Sequence, residues 1–281
     1  MGIKGLHQQL IKKIPIKTNI IKKVYSHELR NKIIVIDTSI YIYKFYENSD
    51  EILLKHGFQT MINDFIQNGI TPIFVFDGKP PEQKEQMMNK RKQEKLDAEI
   101  IYNSVSTTTT ERNKLTKMFI RPTKKTTDIV KTILISKKIR YIDAPNEADP
   151  ICAWLVNTNQ AWACLSDDTD MFIYGCRRVL RSYSIKTKSF MYYPFDKMLD
   201  YLKLTLDDFR QICVISGTDY NINNGNIDIS DAFKLFEQFK TKKPTNIFIN
   251  WLLENNTIDG NTNYYDILDI MNIQNISLPL Q

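Results

Sequence analysis

Seven carboxylates in this 281-residue chain are of a type and spacing that suit metal chemistry: Asp37, Asp77, Glu147, Asp149, Asp168, Asp170 and Asp219. Gathered at one cleft, their mutual repulsion is tolerable only with cations present. Carboxylate oxygens are hard donors and select Mg²⁺ or Mn²⁺ over zinc. Two such ions about 4 Å apart can polarise a phosphate, generate hydroxide and stabilise a leaving oxygen. In Asp168-Thr169-Asp170, an extended backbone would put both carboxylates on one side. Glu147 and Asp149 follow Ala144-Pro145-Asn146, which reads as a helix start capped by Asn146. Acids there sit near the positive end of the helix. Taken singly, each acid reads more readily as a cap or a loop residue. The joint pattern is what points to cations.

The elements that must position these acids are legible as apolar runs. Ile33-Ile34-Val35-Ile36 leads into Asp37, and Ile73-Phe74-Val75-Phe76 leads into Asp77. Tyr141-Ile142 leads into Asp143 and then Glu147, and Trp162-Ala163-Cys164-Leu165 leads into Asp167, Asp168 and Asp170. Short β-branched and aromatic runs of this kind predict strands buried on both faces. Between them, 52–68 and 126–138 carry apolar residues at helical spacing. Alternating strand and helix predicts an α/β fold, a mainly parallel central sheet flanked by helices, within a single domain over 1–281. Ligands of such sheets bind beyond the carboxyl ends of the strands, where these acids fall.

Composition narrows the class. The formal net charge of +6 is mildly basic, and its distribution says more than its size. Cys152, Cys164, Cys176 and Cys213 form no C-x-x-C pair, and His7, His27 and His56 lie far from them in sequence, which argues against zinc. Free thiols in a reducing compartment are expected. No apolar run is long enough to cross a bilayer. The opening Met-Gly-Ile-Lys-Gly-Leu is not a signal peptide, and Leu6 stands where a myristoylation motif wants Ser or Thr. A soluble intracellular protein is expected.

The segment from about 82 to 138 is densely basic, with Lys84, Lys90, Arg91, Lys92 and Lys95 on one side of Thr107–Thr110 and Arg112 to Lys125 on the other. It reads as two helices joined by a tip and standing off the sheet, or else as a solvated excursion with no role.

Five ordered motifs resemble the flap endonuclease family of structure-specific 5′ nucleases, within the XPG-like superfamily. They are Met-Gly-Ile-Lys-Gly-Leu with Ile36-Asp-Thr-Ser-Ile-Tyr-Ile-Tyr43, Val75-Phe-Asp-Gly-Lys-Pro-Pro81, Tyr141-Ile-Asp-Ala-Pro-Asn-Glu-Ala-Asp149, Ser166-Asp-Asp-Thr-Asp170 and Ser216-Gly-Thr-Asp-Tyr220. The resemblance implies a PIN-like 5′ nuclease fold with an inserted helical arch, through which a 5′ single strand passes. It makes the seven carboxylates the ligands of two Mg²⁺ or Mn²⁺ ions, with Asp37 and Asp219 acting through water. Lys84 and Arg91 match the basic residues at the arch base that approach the scissile phosphate. Their seven-residue spacing would put them on one helix face, with Lys95 a turn further on. Tyr43 matches a tyrosine near the unpaired 5′ nucleotide, although Tyr41, Phe45 and Tyr46 crowd the same segment and a core aromatic is the alternative. Gly2 matches a glycine terminus close to the active site.

The pattern departs from the family in places. Asp149 replaces a usual Glu and Pro150 a usual small residue. At about 217–255 the family has a helix-turn-helix that grips duplex phosphates and binds K⁺; here its turn is degenerate, keeping Gly225 and Ile227 but adding Asp228 and Asp231. The stretch from Asp37 to Asp77 is short for the family, which implies a reduced wedge. No sliding-clamp peptide is recognisable before Gln281. The expected partner is DNA with a 5′ flap, nick or free 5′ end, with RNA as an alternative. The protein would act as a monomer, in the nucleus or wherever DNA is replicated, or in the cytoplasm if viral. A 5′–3′ exonuclease, an RNA-acting nuclease and an inactive junction-binding relative are the competing readings.

Overall fold

The computed structural model describes residues 2–46, 50–104, 122–221, 227–260, 262–273 and 276. In chain order, α1 (Leu6–Lys13) precedes β1 (Lys22–Tyr25), β2 (Ile33–Asp37), α2 (Thr38–Phe45), α3 (Glu51–Gln67) and β3 (Thr71–Phe76). Then come α4 (Glu85–Ser104), α5 (Lys124–Ser136), β4 (Tyr141–Asp143), α6 (Ala148–Asn157), β5 (Ala163–Leu165) and α7 (Asp170–Ile173). The hairpin strands β6 (Arg178–Ser184) and β7 (Ser189–Pro194) lead into α8 (Phe195–Leu202) and α9 (Leu206–Ser216). Three helices close the described chain: α10 (Ile229–Lys242), α11 (Phe248–Glu254) and α12 (Tyr264–Ile270). The structure divides into two compact units, each discontinuous in sequence.

One unit comprises Tyr25–Ala148 and Ser184–Lys188. Here β2 pairs parallel with β3, from Ile33 opposite Thr71 to Asp37 opposite Val75. Strand β3 in turn pairs parallel with β4, from Phe74 opposite Tyr141 to Phe76 opposite Asp143. Ile34, Val35 and Ile36 are fully buried, as an apolar run with no polar alternation requires. Helix α3 starts where the Asp50 carboxylate accepts from the amides of Ile52 and Leu53. It buries Leu54, Phe58, Met61, Ile62 and Phe65, while Leu53 and Ile66 are exposed. Phe58 meets Phe45 of α2 edge-to-face at 5.3 Å. Helix α5 buries Val130, Ile133 and Leu134 and packs on α3. It lies within the expected arch limits of 82–138 but behaves as a body helix, because its apolar stripe has a partner. Helix α4 has no such stripe; Ala98 alone among its described side chains is buried. Thr107–Thr110 and the basic stretch from Arg112 to Arg121 lie outside the described residues.

The other unit comprises Met1–Val24, Asp149–Tyr183 and Ser189–Gln281. Its strand order is β1-β7-β6-β5. Strand β5 pairs parallel with β6, Cys164 opposite Val179 and Leu165 opposite Leu180. An aromatic core runs through Phe172, Phe195 and Phe209, with centroids 5.2 and 5.1 Å apart. Helix α9, started by a reciprocal cap between Thr205 and Asp208, is the hub against which α7, α10, α11 and α12 pack. The four cysteines are free and buried in this unit, as expected, and burial pushes the Cys176 and Cys213 thiols well above their ordinary range. No helix among the described residues is long and apolar enough to cross a membrane.

Candidate active site

In the unit built on β2, β3 and β4, the acids stand at carboxyl ends of neighbouring parallel strands. Asp37 ends β2, is 4 % exposed, and makes no capping bond to α2, so the helix-cap alternative fails for it. Asp77 follows β3, and its carboxylate does cap: it accepts from the Ala148 amide at 2.8 Å and the Ser39 hydroxyl at 2.5 Å. The close approach behind this geometry needs Gly78. A Cβ there would lie 2.2 Å from the Ala144 carbonyl oxygen, so only glycine lets 144–148 descend onto the end of β3. Helix α6 then starts at Ala148, which makes Glu147 the residue before the helix, in place of the cap expected at Asn146. Asp143, also expected beyond a strand end, pairs with Lys131 at 2.6 Å.

Glu147 lies 2.8 Å from the Lys84 ammonium, and both side chains are largely buried. Lys84 does not lie on the helix that carries Arg91. Pro80 and Pro81 lead into a 3₁₀ turn, Glu82–Lys84, and α4 begins only at Glu85. Lys84 therefore points at the acids, while Arg91 and Lys95 belong to α4. Both neighbour Tyr43: Lys95 sits 5.6 Å from its ring centroid, and the Arg91 charge acts on its phenol. Burial, with the nearby Asp77, nonetheless pushes that phenol above its ordinary value. Tyr43 is 43 % exposed whereas Tyr41 is fully buried, so the core alternative belongs to Tyr41.

In the other unit, Asp168 and Asp170 are 7 % and 3 % exposed. They converge, but not by the extended backbone expected. Thr169 has φ −80° and ψ −13°, Asp170 opens α7, and the Asp170 amide donates to the Asp168 carboxylate at 3.0 Å. A turn, not strand alternation, brings the carboxylates together. Gly2 marks where they meet. Its φ is +78°, and a Cβ on it would lie 2.3 Å from Asp168 Oδ1 and 2.7 Å from Asp170 Oδ1. We expect Gly2→Ala to cost about 1–3 kcal/mol by overpacking, read as a lower melting temperature. An unchanged melting curve would show that the amino-terminal residues do not rest on this turn.

Asp149 sits half-buried in the first turn of α6, where Pro150 is accommodated. Asp219 lies on a turn that Asn221 clamps through its neighbours. The Asn221 amide oxygen accepts from the Thr218 amide at 3.0 Å and hydroxyl at 2.6 Å, and its nitrogen donates to the Val214 carbonyl. The Tyr220 hydroxyl bonds that of Tyr174 at 2.8 Å. A Ser-Gly-Thr-Asp-x-Asn spacing was the available signal for this turn. Gly225 lies outside the described residues.

The donor set suits hard divalent cations, and two buried carboxylate oxygens aim at one point beside Gly2. Among the described residues, no three His, Cys, Asp or Glu form a metal-holding group by themselves.

Residues 1–98 match the XPG N-terminal domain and 138–219 the XPG I-region. Flap endonuclease 1-B of Oryza sativa subsp. indica is 31% identical over 256 residues, covering 85% of this chain and 61% of the relative. Flap endonuclease 1 of Entamoeba histolytica is 30% identical over 267 residues, covering 86% of this chain and 68% of the relative. This chain thus spans about 61% of the length of the rice relative. The catalytic core of Rad2, solved in complex with a DNA substrate, superposes with a TM-score of 0.72 at 20% identity, covering 98% of this chain and 88% of that one. Flap endonuclease-1 from Methanococcus jannaschii gives 0.62 at 24%, covering 94% and 87%. Those two likenesses establish the fold, the expected α/β fold. The matched regions and the identity to the Entamoeba relative show that the chain belongs to the flap endonuclease family of XPG-like proteins.

Proposed function

We propose that this chain is a structure-specific 5′ nuclease that hydrolyses phosphodiester bonds of DNA near a 5′ flap or free 5′ end. The observation that carries the reading is the pair of buried carboxylates, Asp168 and Asp170, converging on one point. With Asp37, Asp77, Glu147, Asp149 and Asp219 they would hold two Mg²⁺ or Mn²⁺ ions. Those ions, when bound, supply an activated water and neutralise charge on the phosphate. The chain's own cations do the rest. Lys84, held against Glu147, and Arg91, beside Tyr43, meet the reacting phosphate. Tyr43 offers its exposed ring to an unpaired base, with Lys95 over the ring and near the backbone of that strand. Helix α4, with little core of its own, is the described limb of the strand-threading arch.

Stacking by Tyr43 is worth about 1–3 kcal/mol per base. Tyr43→Ala should therefore weaken binding of a flap substrate by roughly tenfold or more, and Tyr43→Phe should keep it. Equal binding by the alanine variant, measured by fluorescence anisotropy, would remove the stacking role.

Substrate class is decided by end-labelled flap, nick, gapped, blunt and single-stranded DNA, with an RNA counterpart of each, in Mg²⁺. Preferential cutting at the flap junction supports the proposal. Stepwise release of mononucleotides from blunt ends identifies a 5′ exonuclease instead, and preference for the RNA set identifies an RNA-acting enzyme. Binding without cleavage leaves the inactive junction binder.

A further inference from the structure

The buried guanidinium of Arg181 has no part in the roles assigned above. Arg181 lies in the middle of β6, is 7 % exposed, and directly follows the buried Val179 and Leu180. Its Nη1 donates to the Asp168 carbonyl at 3.0 Å and its Nη2 to the Asp167 carbonyl at 2.5 Å. The plane is held in place by Phe172 and Tyr193, each with its ring centroid 5.9 Å from Cζ. Tyr193 is itself fixed by a 2.8 Å bond between its hydroxyl and His7 Nε2. Opposite, the Asp167 carboxylate accepts from the Ser182 amide at 2.6 Å, so residues adjacent on β6 hold the same turn.

We infer that Arg181 is a positioning residue for the Asp168–Asp170 pair, acting through the backbone and not on substrate; this rests on the metal-binding reading above. Two donors on successive carbonyls hold the two peptide planes that flank the Asp168 Cα, 167–168 and 168–169. Those planes set where the Asp168 side chain leaves the backbone, and Asp168 Oδ1 in turn receives the Asp170 amide. A fork of two coplanar N–H donors is a property of guanidinium; an ammonium on a flexible stem keeps the charge but not the two-point hold. A positive charge alone would have been served by lysine. The burial of arginine among two rings and two carbonyls points to orientation.

Arg181→Lys separates these roles. Groups that orient metal ligands from behind typically change metal affinity or activity by about 10–100-fold. Mn²⁺ binding to the nucleic-acid-free protein, followed by the electron paramagnetic resonance of free Mn²⁺, should weaken by that order, while circular dichroism stays that of the wild type. Flap cleavage should then require more Mn²⁺ for half-maximal rate and recover near wild-type rate at saturation. If Arg181→Lys fails to fold, Arg181→Gln keeps one donor and no charge, and an intermediate loss of Mn²⁺ affinity is expected. A folded variant with wild-type Mn²⁺ affinity and metal dependence overturns the positioning role, as does a lowered melting temperature with unchanged affinity. Wild-type protein that binds no Mn²⁺ overturns the metal reading itself, and the positioning role with it.

Discussion

Asp168→Asn is expected to abolish cleavage while leaving flap binding intact or tighter. The carboxylate is buried, aims at the same point as Asp170, and its own oxygen receives the Asp170 amide. An asparagine oxygen can accept that bond, so the turn should survive and the protein should melt near the wild-type temperature. What disappears is one negative charge from the proposed cation site. Removing an anion near phosphate also relieves repulsion toward DNA, which accounts for the predicted tighter binding. Mn²⁺ titration of the nucleic-acid-free variant should show weakened binding. Near wild-type cleavage at saturating Mg²⁺ would remove Asp168 from the metal site.

Arg91→Ala is expected to lower the single-turnover rate by about 10²–10³, the usual cost of losing one group aimed at developing charge on a reacting phosphate. A contact serving affinity alone behaves otherwise: binding weakens, its salt dependence flattens, and the rate at saturating enzyme is unchanged. The same logic applies to Lys84, with an added consequence. Its ammonium is paired at 2.8 Å with Glu147, so Lys84→Ala also changes the charge balance around that carboxylate. The two variants should thus differ in Mg²⁺ dependence, with that of Arg91→Ala unchanged and that of Lys84→Ala shifted. Rates measured at saturating enzyme over a Mg²⁺ series check both. Arg91→Ala with a wild-type rate and weaker binding would mean that Arg91 is an affinity group.

Much of the site was legible in the sequence because buried parallel strands must be apolar throughout. Where such a run stops at an acid, as after Ile36 or Phe76, the acid stands at the ligand-binding edge of the sheet. The hairpin of β6 and β7 escaped that reading. Arg178 and Arg181 break its apolar run, and only the three-dimensional neighbours Phe172, Tyr193 and the two carbonyls explain a buried arginine there. Spacing arguments failed where the local backbone was assumed regular. Asp168 and Asp170 meet through a turn, and Lys84 stands in a 3₁₀ turn before the helix that carries Arg91. The pairing of Lys84 with Glu147 joins residues 63 positions apart, and no periodicity reports such a contact. Asn221 was hidden by composition: among many asparagines, the one that clamps the Asp219 turn looks like its neighbours.

The decisive measurement maps the cut on a 5′ flap substrate labelled at both ends, with Mg²⁺ and with EDTA. A single cut close to the junction is expected in Mg²⁺, releasing the flap as one oligonucleotide, with no product in EDTA. Cleavage that persists in EDTA, or binding of the flap with no cut at any Mg²⁺ or Mn²⁺ concentration, would contradict the proposed function.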